Sequence, residues 1–317
     1  MELITVADVD AAAERIADTA VRTPLLPCTW AAPDRPLWLK PENLQPIGAF
    51  KVRGAANAIA RIPEHDRARG VVAYSSGNHA QAVAYVAKRF GMPAAIVVPA
   101  NTPAVKIEAT RAYGAEVHVV PITDREIAAE RLVAERGATL IPPFDHPDVI
   151  AGQGTIGLEI AADLPDVDLV LVPVSGGGLA SGVATAIKAR CPAAKVVGVE
   201  PALAGDAAAS LAAGRRVHWP TEDRARTIAD GLRAEPSELT FAHLHKLLDG
   251  IVTVSEDEIR AAVALLARRA HLVAEPSGAV TTAAYLHRAA DLPAGRTVAV
   301  VSGGNVDPAD LAGILAD

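Results

Sequence analysis

The chain has 317 residues, 50% of them hydrophobic, and a formal net charge of −7. That length favours two domains over one, the charge is spread without a Lys/Arg block that would suit nucleic acid, and no apolar run approaches the ~18 residues of a transmembrane helix. Aromatic residues make up only 3%, so the core must be aliphatic, and the two cysteines, Cys28 and Cys191, fit a reducing cytoplasm better than a disulfide framework or thiolate metal site. The first segment, MELITVADVDAAAERI, is acidic and amphipathic, unlike a signal peptide. Short β-branched runs then alternate with helical patterns. In chain order they read as strand 71–74, helix 79–89, strands 94–98 and 116–120, helix 125–136, strand 169–174, helix 179–190, strand 196–200, helix 256–270 and strand 298–302. The helix at 256 opens on a capping box, Ser255 with Glu258, and carries Ile259, Val263, Leu266 and Ala270 at helical spacing. Such alternation predicts an α/β fold of two domains, each a mostly parallel twisted sheet covered by helices. Residues 51–142 would contain the small domain, with its core at about 70–142. Residues 1–50 and 143–317 would form the large one, with the ligand in the cleft between them.

Four stretches carry chemistry. GAFKVRG (48–54) sets Lys51 behind an aromatic residue and between glycines, where backbone can approach a ligand and a desolvated amine can act as nucleophile. Alone, it also reads as an ordinary turn before a helix. SGGGLASG (175–182) follows a strand and opens a helix, so successive N–H groups and the helix dipole can meet one phosphate. It has neither the P-loop lysine nor dinucleotide spacing, and a tight packing turn would look the same. SSGNHA (75–80) offers two hydroxyls, an amide and an imidazole at another helix start, or simply a polar cap. GGNVD (303–307) follows Ser302 at a strand end. A reactive lysine, an anion nest, a polar turn and a strand-end serine together suggest pyridoxal phosphate, which needs a lysine anchor, a phosphate site and a ring-nitrogen partner.

Taken with PENLQPIGAFKVRGAANAI, SSGNHAQAVAYVAKRFGMPA, AGQGTIGLEI, PVSGGGLASGVA, TIADG and VSGGNVD, these stretches resemble the fold-type II, tryptophan-synthase-β-like pyridoxal-phosphate enzymes, specifically the serine/threonine dehydratase and serine racemase branch. The match runs along nearly the whole chain. It implies that Lys51 anchors pyridoxal 5′-phosphate, with Phe50 against the ring, Asn78 on the ring hydroxyl and Ser302 facing the ring nitrogen. Gly176, Gly177, Gly178 and Leu179 would supply N–H groups to the phosphate, and Gly231 would line the cofactor. Ser75, Ser76, Asn78 and His79 would receive the substrate carboxylate. The implied reaction is dehydration of L-threonine, L-serine or a related β-hydroxy amino acid to a 2-oxo acid and ammonia, with Lys51 as the base.

The resemblance also keeps alternatives open. Many threonine dehydratases have alanine where Ser76 stands, whereas racemases have serine, which works on the opposite substrate face from the lysine. Arg125 occupies the place of an arginine that could take a second carboxylate, as in 3-hydroxyaspartate, though a solvated arginine at a helix start reads equally well. Glu200, the Ala204 carbonyl and Asp206 have the spacing of the family's divalent-cation site, suited to Mg²⁺ or Ca²⁺, though a solvated loop with two unrelated carboxylates would read the same way. A homodimer is implied. A non-catalytic binding protein on the same scaffold is disfavoured by the intact Lys51. Three departures bear on substrate: Ala49 for a common serine, Ser175 for a glycine, and Ala234 where a serine sometimes binds substrate. The chain ends soon after VSGGNVD, so no isoleucine-sensing regulatory domain is expected.

Overall fold

The computed structural model describes residues 2–316. In chain order, β1 (Leu26–Pro27) and β2 (Leu37–Pro41) begin one sheet. Next, β3 (Val71–Tyr74), β4 (Ala94–Pro99), β5 (Glu116–Val120) and β6 (Thr139–Leu140) build a second. Finally β7 (Leu169–Pro173), β8 (Lys195–Pro201), β9 (Gly250–Val254) and β10 (Thr297–Val301) return to the first. The strand orders are β1-β2-β10-β7-β8-β9 and β5-β4-β3-β6. Every strand pairing is parallel except that of β1 with β2. β4, β7 and β10 are buried at every position, which explains their unbroken aliphatic runs. β5 closes one edge of the second sheet and accordingly exposes Glu116 and Val119.

The helices that position the site are α1 (Val6–Ile16), α2 (Lys51–Ala60), α3 (Asn78–Arg89), α4 (Ala104–Ala112), α5 (Arg125–Arg136), α6 (Pro147–Asp163), α7 (Gly178–Arg190) and α8 (Asp206–Ala213). α6 and α7 cross almost backbone to backbone: a Cβ on Gly182 would lie 2.3 Å from the Ile150 carbonyl oxygen. That contact sets where the N-terminus of α7 points. The helix expected over 256–270 ends earlier as an α-helix, at Leu265. A π-helical turn, Leu266–Ala270, follows, and His271 then adopts a left-handed φ of 56°. The wider turn ends the helix and redirects the chain toward Glu275.

Beneath α2 lies a buried ion cluster. Arg53 donates from Nε to Glu42 at 2.7 Å and from Nη1 to Glu159 at 2.7 Å, and Lys40 donates to Glu159 and to the Thr23 carbonyl, both at 2.5 Å. Arg53 is 1% and Lys40 0% exposed. Burial opposes the charge of Arg53, yet Glu42 and Glu159 more than offset it and leave the guanidinium held firmly protonated. The cluster joins β2, α2 and α6 two residues from Lys51.

Candidate active site

The carboxyl ends of β3, β7 and β10 carry the three polar turns, as the ligand side of a parallel sheet should. The turn before α2 is bound to the turn after β10. Ala49, fully buried, pairs with Gly303, the Phe50 N–H donates to the Ser302 carbonyl at 3.0 Å, and the Gly304 N–H donates to the Gly48 carbonyl at 2.9 Å. Lys51 and Ser302, distant in sequence, therefore flank one space. Lys51 is the first residue of α2, with its Nζ 4.9 Å from the Phe50 ring centre and donating to the Pro143 carbonyl at 2.7 Å. Burial lowers its amine to about 8. Pro143 also accepts from Gln153 Nε2 at 3.4 Å, while Gln153 Oε1 is buried without a partner beside Gly178.

Gly176, Gly177, Gly178 and Leu179 are buried at the start of α7, where the first turn leaves N–H groups without intrahelical acceptors. Gly177 has φ +87°, in the left-handed region glycine tolerates. A Cβ on Gly176 would meet the Phe144 ring at 2.3 Å. Ser175 ties this loop to the stretch just after TIADG: its hydroxyl accepts from the Ala234 N–H at 3.0 Å and donates to the Ala234 carbonyl at 3.2 Å. Two of the departures thus touch one another. Gly231 is exposed and donates its N–H to the Ser277 hydroxyl at 2.9 Å; the Ser277 carbonyl lies 3.5 Å from the hydroxyl of buried Ser302.

At the start of α3, Ser75 accepts from the Gly77 N–H at 3.2 Å. The half-buried Ser76 hydroxyl makes no hydrogen bond among the described residues. The His79 ring is buried, with its Nε2 2.8 Å from the Ile141 carbonyl; burial and the nearby Lys51 charge lower it to about 3. Its ring is therefore neutral and committed to the fold. Asn78 donates to Glu275 and accepts from Asn305. Burial raises Glu275 to about 8, with Asp230 adding to the shift. Arg125 stacks on the Tyr74 ring, 5.3 Å from its centre and next to Ser75, and its Nε is buried without a partner.

Glu200 and Asp206, each 1% exposed, stand apart at β8 and α8. Glu200 accepts the Ala207 and Ala208 N–H groups, and Asp206 Oδ2 has no partner. Burial pushes both carboxyls up, Asp206 to about 7, and the Asp206 charge adds to the rise at Glu200. Among the described residues, no three His, Cys, Asp or Glu side chains gather as a metal cluster. Sequence reasoning missed Pro143, Gln153, Glu275 and Ser277. Only Glu275 left a signal: a glutamate just before a proline that starts a helix occupies a cap position where Ser, Thr, Asp or Asn is usual.

A family model described as "Pyridoxal-phosphate dependent enzyme" matches residues 16–303. L-threonine ammonia-lyase of Thermotoga maritima is 48% identical over 274 residues, 86% of this chain and 67% of that protein. L-threo-3-hydroxyaspartate ammonia-lyase of Saccharomyces cerevisiae is 42% identical over 96% of this chain and 94% of its own. A solved structure of maize serine racemase superposes with a TM-score of 0.94 at 38% identity, covering 99% of this chain and 98% of that one.

Proposed function

Since the chain belongs to the pyridoxal-phosphate dependent enzymes, we propose that it is an ammonia-lyase converting a β-hydroxy amino acid, L-threonine or L-serine first, to a 2-oxo acid and ammonia. The observation that carries this reading is Lys51: a half-buried lysine whose amine desolvation lowers to about 8, without a carboxylate partner, beside a helix-start nest and a strand-end serine. These residues fit the cofactor. The amine would hold it, Phe50 would pack on the ring, and Gly176, Gly177, Gly178 and Leu179 would bind the phosphate. Gly231 would line the site, Ser302 would face the ring nitrogen and Asn78 the ring hydroxyl. When bound, the pyridoxal group supplies an electron sink that acidifies the hydrogen on the substrate carbon bearing the amino group. Lys51, once its amine is free, removes that hydrogen as general base. Ser75, Asn78 and the backbone of His79 hold the substrate carboxylate at the α3 N-terminus. Loss of the β-hydroxyl as water leaves an enamine, which hydrolyses to the 2-oxo acid and ammonia. The test is Lys51→Ala: the purified variant should lose both its visible cofactor band and 2-oxo acid formation. Turnover retained in that variant would refute the assignment.

Racemisation is a second reading, favoured by the uncommitted Ser76 hydroxyl. Ser76→Ala should abolish D-serine formation from L-serine while sparing 2-oxo acid; equal loss of both would remove the opposite-face role. Arg125, with an unpartnered Nε, supports including 3-hydroxyaspartate in the substrate panel. Glu200, the Ala204 carbonyl and Asp206 are proposed ligands for Mg²⁺ or Ca²⁺, because a cation would offset two buried carboxylates and use the free Asp206 oxygen. The division at 51–142, a homodimer and a cytoplasmic location complete the proposal. They rest on the alternating sequence pattern, the family resemblance and the cysteine usage.

A further inference from the structure

In the proposed site Asn78 must show the ring hydroxyl an N–H and not its carbonyl. A side-chain amide has two orientations related by a half-turn, so something must choose between them. Both ends of the Asn78 amide are held. Its Nδ2 donates to Glu275 Oε1 at 2.7 Å, and its Oδ1 accepts from Asn305 Nδ2 at 2.8 Å. Asn305 cannot reverse either, because the same nitrogen also donates to the Ile47 carbonyl at 2.8 Å. A reversed Asn78 would set NH₂ against NH₂ at Asn305 and, wherever Glu275 is ionised, carbonyl against carboxylate. In the observed orientation one Asn78 N–H is committed to Glu275 and one is left over.

The placement of Glu275 supports a dedicated role. It is the N-cap of helix Pro276–His287, yet its side chain makes no cap hydrogen bond and turns to Asn78 instead. It is 5% exposed, and its N–H donates to the Gly303 carbonyl at 3.1 Å. Gly303 leaves room for it: a Cβ there would fall 2.3 Å from Glu275 Oε1. The turns after β3 and β10 and the segment ahead of Pro276 therefore converge on one amide.

We propose that Glu275 and Asn305 are positioning residues that lock the Asn78 amide so that its free N–H faces the ring hydroxyl of the cofactor. This rests on the assignment of Asn78 to that hydroxyl. The test uses the holoenzyme and reads the pH midpoint of the visible cofactor band, the cofactor dissociation constant by equilibrium dialysis, and melting temperature as a check on folding. Asn78→Ala should move the band midpoint and weaken cofactor binding roughly tenfold, the worth of one hydrogen bond. Glu275→Ala and Asn305→Asp should shift both in the same direction. Glu275→Gln, which keeps an acceptor for Asn78, should restore them. The pair Asn78→Ala with Glu275→Ala should be no worse than Asn78→Ala alone. A Glu275→Ala effect that persists in the Asn78→Ala background would overturn the lock, as would wild-type behaviour of Glu275→Ala and Asn305→Asp. If Glu275→Ala does not fold, Asn305→Asp and Glu275→Gln decide. If Asn78→Ala itself changes nothing, the Asn78 assignment fails first and is seen to fail separately.

Discussion

Competitive acetylation of the cofactor-free protein, from about pH 6 to about pH 11, should find the Lys51 amine half-neutral near pH 8. Burial moves it there from 10.5. Below pH 8 the neutral fraction is then about 300 times that of an unperturbed lysine, a differential of about 3 kcal/mol. A lysine with a depressed folded pKa weakens the fold while it is charged. The penalty is full below about pH 8 and vanishes as pH rises toward 10.5, so wild-type stability should climb across that window. Lys51→Met keeps the stem without the charge. After loss of the bond to Pro143 it should stabilise the cofactor-free protein at pH 7 by about 2 kcal/mol, with the gain gone by about pH 10.5. Mass spectrometry of the Lys51 peptide, with the other lysine peptides as reference, gives the first measurement; urea titrations at several pH values give the second. A midpoint near 10.5, or a methionine variant less stable than wild type at pH 7, would refute desolvation as the source of reactivity.

Three further outcomes are expected. Gly176→Ala drives a methyl into the Phe144 ring and should weaken cofactor binding at least about tenfold by equilibrium dialysis, with the circular dichroism spectrum unchanged. Arg53→Met leaves buried Glu42 without its cation, while Glu159 keeps Lys40, and should cost about 3–5 kcal/mol in urea unfolding. Burial alone would raise Glu42, but Arg53 holds it lowered, so the wild-type advantage should be present above about pH 4.5 and fade as pH falls through the depressed value. Mg²⁺ or Ca²⁺ at a concentration of about 100 Kd should stabilise the wild type by about 3 kcal/mol in thermal melts. Asp206→Asn should remove that shift; an equal shift in both proteins would dismiss the cation site.

Elements with a local signal were legible in the sequence. The runs at 71–74 and 116–120 became β3 and β5 without change of boundary, and Ser255 does cap its helix with Glu258. β2 and β9 were not singled out. LWLKP carries a lysine and a proline and GIVTV opens on glycine, all depleted in strands, and what makes them strands is pairing with β10 and β8. The site divides in the same way. Lys51 and the glycine loop announce themselves by composition and position after a strand. Glu275, Gln153 and Ser277 matter through contacts with residues as many as 197 positions away, which no local pattern encodes. His79 shows the converse: its type reads as chemistry, while its burial against Ile141 gives the ring a packing role.

The pairing of β2 with β10 sets a timetable for synthesis. Val298 lies beside Trp38, 260 positions later in the chain (298 against 38). At roughly 5–20 residues per second, β2 waits about 13–50 s on the ribosome for that neighbour. Throughout that wait the turn holding Lys51 lacks Ser302 and Gly303, the residues that seat it. The second sheet, by contrast, has all four strands once residue 140 has emerged. A nascent chain would thus carry an early-formed sheet and an unpaired strand edge together, and cofactor capture becomes a late event, after translation has passed β10.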